Sequence, residues 1–303
     1  MKDRIRDEMQ AFAEFLNRVD SENIEKAKEE FFHRIDAIAE LIDSSPDREK
    51  YEEEFYQICH DLDDSVMHNR TREKPLGYAG DFQLIDWIYT QKTASNGRGK
   101  FFDLLFHTYE AAQSVRNRKT YFINKCIALS KVKKGRLDIL NLASGSCRDV
   151  LETFIVSRNG ANMHFHCVDH EPKAIEYAEG ILSTTEMKRN VHLDTCNVFR
   201  IKTDKKYDLI WSAGLFDYLE DRVAILLLKR IWRLLKDGGQ IIFGNFSPAN
   251  PTRRGMELVG KWYLLHRTAN QLVRLVNQSG VPFKELDVEN EELGINLFCV
   301  ITK

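Results

Sequence analysis

Ile139-Leu140-Asn141-Leu142-Ala143-Ser144-Gly145-Ser146-Cys147-Arg148-Asp149 is the stretch that decides the fold. A short apolar run ends in five small residues, and a helix is expected to open near Asp149. Runs of this length bounded by small residues fit a buried strand. Small residues after it let a ligand approach the backbone, and the amides that open the helix can contact that ligand. His164-Phe165-His166-Cys167-Val168-Asp169 repeats the pattern and ends in an acid, placed where a carboxylate can accept both hydroxyls of a ribose. The full Gly-x-Gly-x-x-Gly fingerprint is absent, since only Gly145 is glycine, which disfavours a pyrophosphate cradle.

Working towards the C-terminus, strands are expected at Val191 to Leu193, Tyr207 to Trp211 and Gln240 to Phe243. Helical patterns lie between them, notably Val223 to Leu235, closed by Lys236-Asp237-Gly238-Gly239. Alternating strand and helix implies an open parallel sheet covered on both faces. The chain ends differently: Phe283 to Val288, a turn through Asn290-Glu291-Glu292-Leu293-Gly294, and Asn296 to Thr302 read as an antiparallel hairpin at the sheet edge.

Towards the N-terminus the period becomes helical. Ile5, Met9, Phe12, Leu16 and Val19 form one stripe, and Phe31, Ile35, Ile38 and Ile42 a second. Ser45-Pro46 is expected to cap a third helix through Tyr51, Phe55, Ile58 and Leu62. From His68 to Asp81 the chain is expected to be a loop, with Pro75, Gly77 and Gly80 breaking any helix and His, Arg, Tyr and Asp available to line a site. Helical patterning resumes at Phe82 to Tyr89 and from Phe101 to about Ile127, across a polar break at Ser95-Asn96-Gly97. The expected division is 1–115, an all-helical N-terminal cap domain, and 116–303, a Rossmann-like domain.

Composition narrows the function. The 303 residues carry 44 Lys plus Arg against 46 Asp plus Glu, a formal charge of −2, so no basic excess points to nucleic acid or an anionic membrane. The longest apolar run, Val223 to Leu228, is too short to span a bilayer, and the charged N-terminus has no signal-peptide core. A cytoplasmic protein with reduced, mainly buried cysteines is expected, with a small-molecule or acyl partner, no nucleic acid and no membrane insertion. The sequence leaves monomer and homodimer open. His164 and His166 alternate on one strand without a clear further ligand cluster, so no metal is expected.

The turn Ala143-Ser144-Gly145-Ser146-Cys147 resembles motif I of class I S-adenosylmethionine-dependent methyltransferases, with Ala143 and Cys147 standing at two of the family's glycines. On that resemblance Asp169 matches the ribose-binding acid, Asn197 the polar residue near the adenine amino group, and Ser212-Ala213-Gly214-Leu215-Phe216 the motif after strand four. The implied cofactor is S-adenosyl-L-methionine, held by Ala143, Ser144, Gly145, Asp169, His170, Asn197, Val198, Ser212 and Ala213, with Tyr78 and Arg118. Lys74 to Asp81, Val115-Arg116-Asn117-Arg118, Gly244-Asn245-Phe246, Trp262-Tyr263 and His266-Arg267 are similar to the methyltransferases of 3-hydroxypalmitic acid methyl ester biosynthesis. That narrower resemblance implies methyl transfer to a carboxylate.

Methyl transfer from a sulfonium is an in-line displacement that needs the acceptor about 3 to 3.5 Å from the methyl carbon. A carboxylate is already ionised at neutral pH and needs orientation rather than a base. Arg116, Arg118, His68, Arg253 and Tyr263 are candidates for that, and for an amine or phenol acceptor His68, Asp81 or His170 could act as base. Tyr78 and Asp81 are expected to cover the cofactor. Arg116 and Arg118, two apart on a helix, face different ways, so one of them reaches the site. Asn245, Arg253, Trp262 and Tyr263 are the candidate acceptor contacts. Transfer of the aminocarboxypropyl group or cyclisation, and a non-catalytic binding protein, are the competing readings; the C-terminal hairpin counts against a nicotinamide dehydrogenase.

Overall fold

The structure is a computed structural model that describes residues 2–19, 23–94, 97–157, 162–183 and 185–303. Of the expected polar break, Ser95 and Asn96 lie outside the described residues. The chain forms two compact units, 1–113 with 250–263, and 114–249 with 264–303. The stretch 250–263 therefore departs from the expected division and joins the helical unit.

The helical unit contains α1 (Lys2–Arg18), α2 (Ile24–Asp43), α3 (Arg48–Ile58), α4 (Val66–Glu73), α5 (Phe82–Thr90) and α6 (Gly97–Thr108), then the start of α7 (Glu110–Val132). The two apolar stripes converge: Phe12 of α1 lies 5.4 Å from Phe31 of α2 and 5.2 Å from Phe55 of α3, ring centroid to centroid. All three rings are fully buried, the burial that drives helices of this kind together. Three expectations are corrected here. Ser45 does not cap α3; its hydroxyl accepts from the amide of Asp47, the residue just before the helix begins at Arg48. The third helix ends at Ile58, with Cys59–Leu62 in a 3-10 turn. The segment read as a loop from His68 is helical as far as Glu73, because Ser65 caps it by accepting from His68 N. The helix α11 (Arg253–Gly260) belongs to this unit through backbone carbonyls: Arg72 Nη1 donates to Val259 O at 3.1 Å and Lys74 Nζ to Lys261 O at 2.8 Å.

The second unit is a seven-stranded sheet. Its strands are β1 (Leu137–Leu142), β2 (Met163–Asp169), β3 (Val191–Thr195), β4 (Tyr207–Ser212), β5 (Leu235–Phe246), β6 (Glu285–Asn290) and β7 (Asn296–Thr302), in the order β3-β2-β1-β4-β5-β7-β6. β7 runs antiparallel to both its neighbours, and the first five strands are mutually parallel. The hairpin is thus present, with β7 inserted between β5 and β6. Its turn is fixed by the buried Glu291, whose carboxylate accepts from the amides of Leu293, Ile295 and Asn296. The expected turn at Lys236-Asp237-Gly238-Gly239 is instead an irregularity within β5, which pairs with Tyr207 through Leu235 and resumes at Gln240 opposite Leu209.

Side-chain alternation builds two cores. Leu140, Leu142, Val168, Ile210, Ile241 and Phe243 face α10 (Asp221–Trp232) and α12 (Ala269–Ser279). Ile139, Phe165, Cys167, Leu209, Trp211 and Ile242 face α7, α8 (Arg148–Val156) and α9 (Pro172–Ser183). Near-continuous apolar strands are what a sheet covered on both faces requires. Among the described residues no helix is long and apolar enough to cross a membrane.

Arg267, 5% exposed, ties the loop after β4 to the end of β5. It donates to Phe216 O, Leu219 O, the Asn245 side-chain oxygen and the Asp221 carboxylate. Replacing Arg267 by Ala strips several buried acceptors at about 1–3 kcal/mol each. The expected loss is about 3 kcal/mol or more, read from denaturant midpoints, with Arg267→Lys intermediate.

Candidate functional site

In a parallel sheet the crevice lies at the carboxyl ends of the strands, where the strand order reverses direction. Here that point is between β1 and β4. The turn leaving β1 has positive φ at Ala143 (51°), Gly145 (55°) and Cys147 (55°). Ala143 and Cys147 therefore hold the left-handed backbone that a glycine would adopt without strain, at roughly 1–2 kcal/mol each for an L side chain. Ser144 N donates to Val168 O at 3.1 Å, which fixes the turn against β2. The Ser144 hydroxyl is buried and has no hydrogen-bond partner.

Asp169 ends β2 and is 5% exposed. Gly145 N donates to its Oδ2 at 2.8 Å and Glu171 N to its Oδ1 at 3.0 Å. Each carboxylate oxygen can accept two hydrogens, so each keeps a lone pair for a ligand hydroxyl. With the buried, unpartnered Ser144 hydroxyl in the adjoining turn, this arrangement suits a ribose. His170 follows on the surface, 3.5 Å from Asp169. Past β3, Asn197 accepts from Phe199 N at 2.9 Å and so starts the short 3-10 turn Val198–Arg200, with Val198 nearly buried.

At the end of β4, Ser212 donates to Leu142 O, joining the two strands that flank the crevice. A Cβ at Gly214 would lie 3.2 Å from Arg118 Nη1, and one at Gly244 would lie 2.5 Å from Ala213 O. Arg118 is 5% exposed, which answers which of the two arginines of α7 turns inwards; Arg116 is half-buried. The Arg118 charge acts on two buried carboxylates that the sequence reading did not single out, Asp149 and Asp217. Burial pushes each of them up to about 6, and Arg118 opposes that shift. Asp149 accepts from Asn141 Nδ2 and Val150 N, and Asp217 from Phe246 N. The sequence signal was weak: each acid follows a strand end closely.

Several candidates have other employment. His68 is enclosed in the helical unit, 3% exposed, between Phe106 and Tyr109, with Nδ1 2.9 Å from Ser65 Oγ and Nε2 3.1 Å from Tyr109 Oη. Burial pushes its pKa down to about 3, so it is neither a cation nor an open base at neutral pH. Asp81 is fully buried, caps α5 at Leu84 N, and meets Arg70 through both oxygens, at 2.8 and 2.7 Å. Tyr78 lies half-buried in the turn just before it. Asn245 is completely buried and structural: its amide donates to Phe246 O and Leu265 O and its oxygen accepts from Arg267. Arg253 pairs with Glu257 at 2.6 Å, Trp262 is buried and Tyr263 is exposed, all in the helical unit, whereas Phe246 belongs to the sheet unit.

Residues 133–281, just under half of the chain, match the family model described as a methyltransferase domain. No curated protein matches the chain in sequence. Among solved structures, the chain is similar to a possible exported protein from Bordetella parapertussis, at 17% identity and TM-score 0.61, over 74% of this chain and 79% of that one. It is also similar to the apo form of the S-adenosylmethionine-dependent methyltransferase SibL, at 12% and 0.53, over 81% and 72%. A third is magnesium protoporphyrin IX methyltransferase (ChlM) from Synechocystis PCC 6803 with bound SAH, at 9% and 0.51, over 80% and 100%. At these identities the likeness is one of fold.

Two outcomes follow from the geometry. Ala143→Val places a β-branched residue at φ 51° and is expected to lose about 2 kcal/mol together with cofactor binding. Ala143→Gly is expected to stay within about 1 kcal/mol, because relief of the left-handed strain offsets the freer unfolded chain. Since the unfolded state protonates His68 near 6.5 and the folded state only near 3, His68 costs stability as pH falls from 6.5 towards 3. Unfolding midpoints over that range should therefore fall more steeply for the wild type than for His68→Gln.

Proposed function

Taking residues 133–281 as a methyltransferase domain of the class I, S-adenosylmethionine-dependent kind, we propose that the protein methylates the carboxylate of a small or acyl acid, such as a 3-hydroxy acid. The observation that carries the cofactor part is Asp169, braced by the Gly145 and Glu171 amides, beside the unpartnered Ser144 hydroxyl at the sheet's switch point. S-adenosylmethionine supplies an electrophilic methyl carbon on a sulfonium. Asp169 would accept from the ribose hydroxyls, Ser144 would line the same turn, and Asn197 and Val198 would border the base. The positive φ angles at Ala143 and Cys147 preserve the glycine-like course of the turn, which favours a working site over a degenerate one.

Two of the three candidate bases are tied up, which favours an acceptor that needs none. An amine or phenol must lose a proton to a base. His68 is neutral but sealed among aromatic rings, and Asp81 is held by Arg70. A carboxylate needs neither; it needs only a donor or cation to orient it. Arg118, with Asp149 and Asp217 acting on it, is assigned to the methionine end of the cofactor, where a guanidinium flanked by acids can meet both a carboxylate and, through those acids, an ammonium.

Asp169→Asn removes a charged acceptor whose hydrogen bonds are each worth about 1.5–3 kcal/mol. Calorimetric affinity for S-adenosylhomocysteine is expected to fall about 10- to 100-fold. Incubation with S-adenosylmethionine and a panel of 3-hydroxy acids, read by mass spectrometry, is expected to give methyl esters. A product carrying the aminocarboxypropyl group instead, or methyl transfer confined to amines, would overturn the assignment of the acceptor.

A further inference from the structure

The β2–β3 edge of the sheet holds a second cluster of chemistry-bearing side chains. His166 of β2 pairs in register with His192 of β3, and Val168 with Asp194, so His166, His192 and Asp194 share one sheet face. The two imidazole rings lie 4.8 Å apart. His166 is 9% exposed, and its Nε2 is buried without a hydrogen-bond partner. Asp194 Oδ2 is 3.6 Å from that nitrogen, too far for a hydrogen bond. One nitrogen from each histidine and a carboxylate oxygen of Asp194 all fall within 4.8 Å of one another.

An orphaned buried nitrogen costs about 1–3 kcal/mol unless something satisfies it. Ligand bonds of about 2.0–2.2 Å around a tetrahedral zinc put neighbouring ligand atoms roughly 3.3–3.5 Å apart. The His166 to Asp194 separation is already close to that, and His192, which is exposed, has room to close in. The other nitrogen of His166, Nδ1, lies 2.7 Å from the Tyr207 hydroxyl. A hydrogen bond from the distal ring nitrogen is what fixes the tautomer and orientation of a metal-ligating histidine.

We propose that His166, His192 and Asp194 bind a divalent transition-metal ion of the zinc class, with Tyr207 as the positioning residue behind His166. Three protein ligands leave a tetrahedral ion one open position. His166 and His192 also line a cavity of about 330 Å³ whose wall includes Arg189 and Lys205, so a water or a small anion completes the set. His192 and Asp194 supply the additional ligands that the alternating His164 and His166 lack by themselves.

The test uses the full chain without an affinity tag, and its readout does not depend on methyl transfer. Titration with Zn²⁺ by calorimetry and with Co²⁺ by visible spectroscopy is expected to show one equivalent, with the intense cobalt bands of a four-coordinate site. His192→Ala and Asp194→Ala, at exposed and half-exposed positions, are each expected to lower affinity at least 10-fold without shifting the metal-free unfolding midpoint. Tyr207→Phe is expected to lower it about 10-fold. No binding of either ion at about 0.1 mM, or stoichiometric binding that survives both His192→Ala and Asp194→Ala, would overturn the proposal.

Discussion

A guanidinium cannot sit inside a protein uncompensated, and the neutralisation of Arg118 is the constraint around which the sheet's carboxyl edge is arranged. Arg118 comes from α7 and packs against Gly214 after β4, and its charge opposes the upward shift that burial gives two carboxylates, Asp149 after β1 and Asp217 after β4. Each acid is itself pinned by backbone: Asp149 by Val150 N, Asp217 by Phe246 N. Asp217 thereby joins the loop leaving β4 to the end of β5. The same loops border the crevice where Asp169 and Ser144 stand. A polar network of this kind must be satisfied throughout, so it specifies the loops as well as holding them.

Much of the sheet could be read from residues alone because its signals are local. A run such as Leu137 to Leu142 ending in small residues is a buried strand in most contexts, and Asp169 and the terminal hairpin follow from the same alternation of apolar runs and turns. What escaped was set by pairing and burial. His68 looked available in sequence, but only the helix at Val66–Glu73 shows it turned among Phe102, Phe106 and Tyr109. Asn245 resembled an acceptor contact, and its complete use by Phe246, Leu265 and Arg267 required the fold to bring residues distant in sequence together. The stretch 250–263 carries an ordinary helical pattern, and nothing local says that Arg72 and Lys74 will donate to its carbonyls.

Two places on the sheet do different work. At the carboxyl ends, backbone amides and short side chains leave lone pairs and a free hydroxyl for a polar ligand, which is the ordinary use of this architecture. At the β2–β3 edge, the register sets His166 against His192, a cross-strand relation that no reading along the chain can supply. Fold likeness at 12–17% identity fixes the scaffold and leaves chemistry to such particular groupings.

The central claim is that the edge formed by Ser144, Gly145 and Asp169 binds an adenosyl sulfonium cofactor, and thermal unfolding of the wild type and Asp169→Ala with S-adenosylhomocysteine or NAD tests it most directly. A ligand at 100 times its Kd stabilises the folded state by about 2.7 kcal/mol. A rise in Tm with S-adenosylhomocysteine alone, lost in Asp169→Ala, is the expected result. No rise with S-adenosylhomocysteine, or an equal rise in the variant, would contradict it.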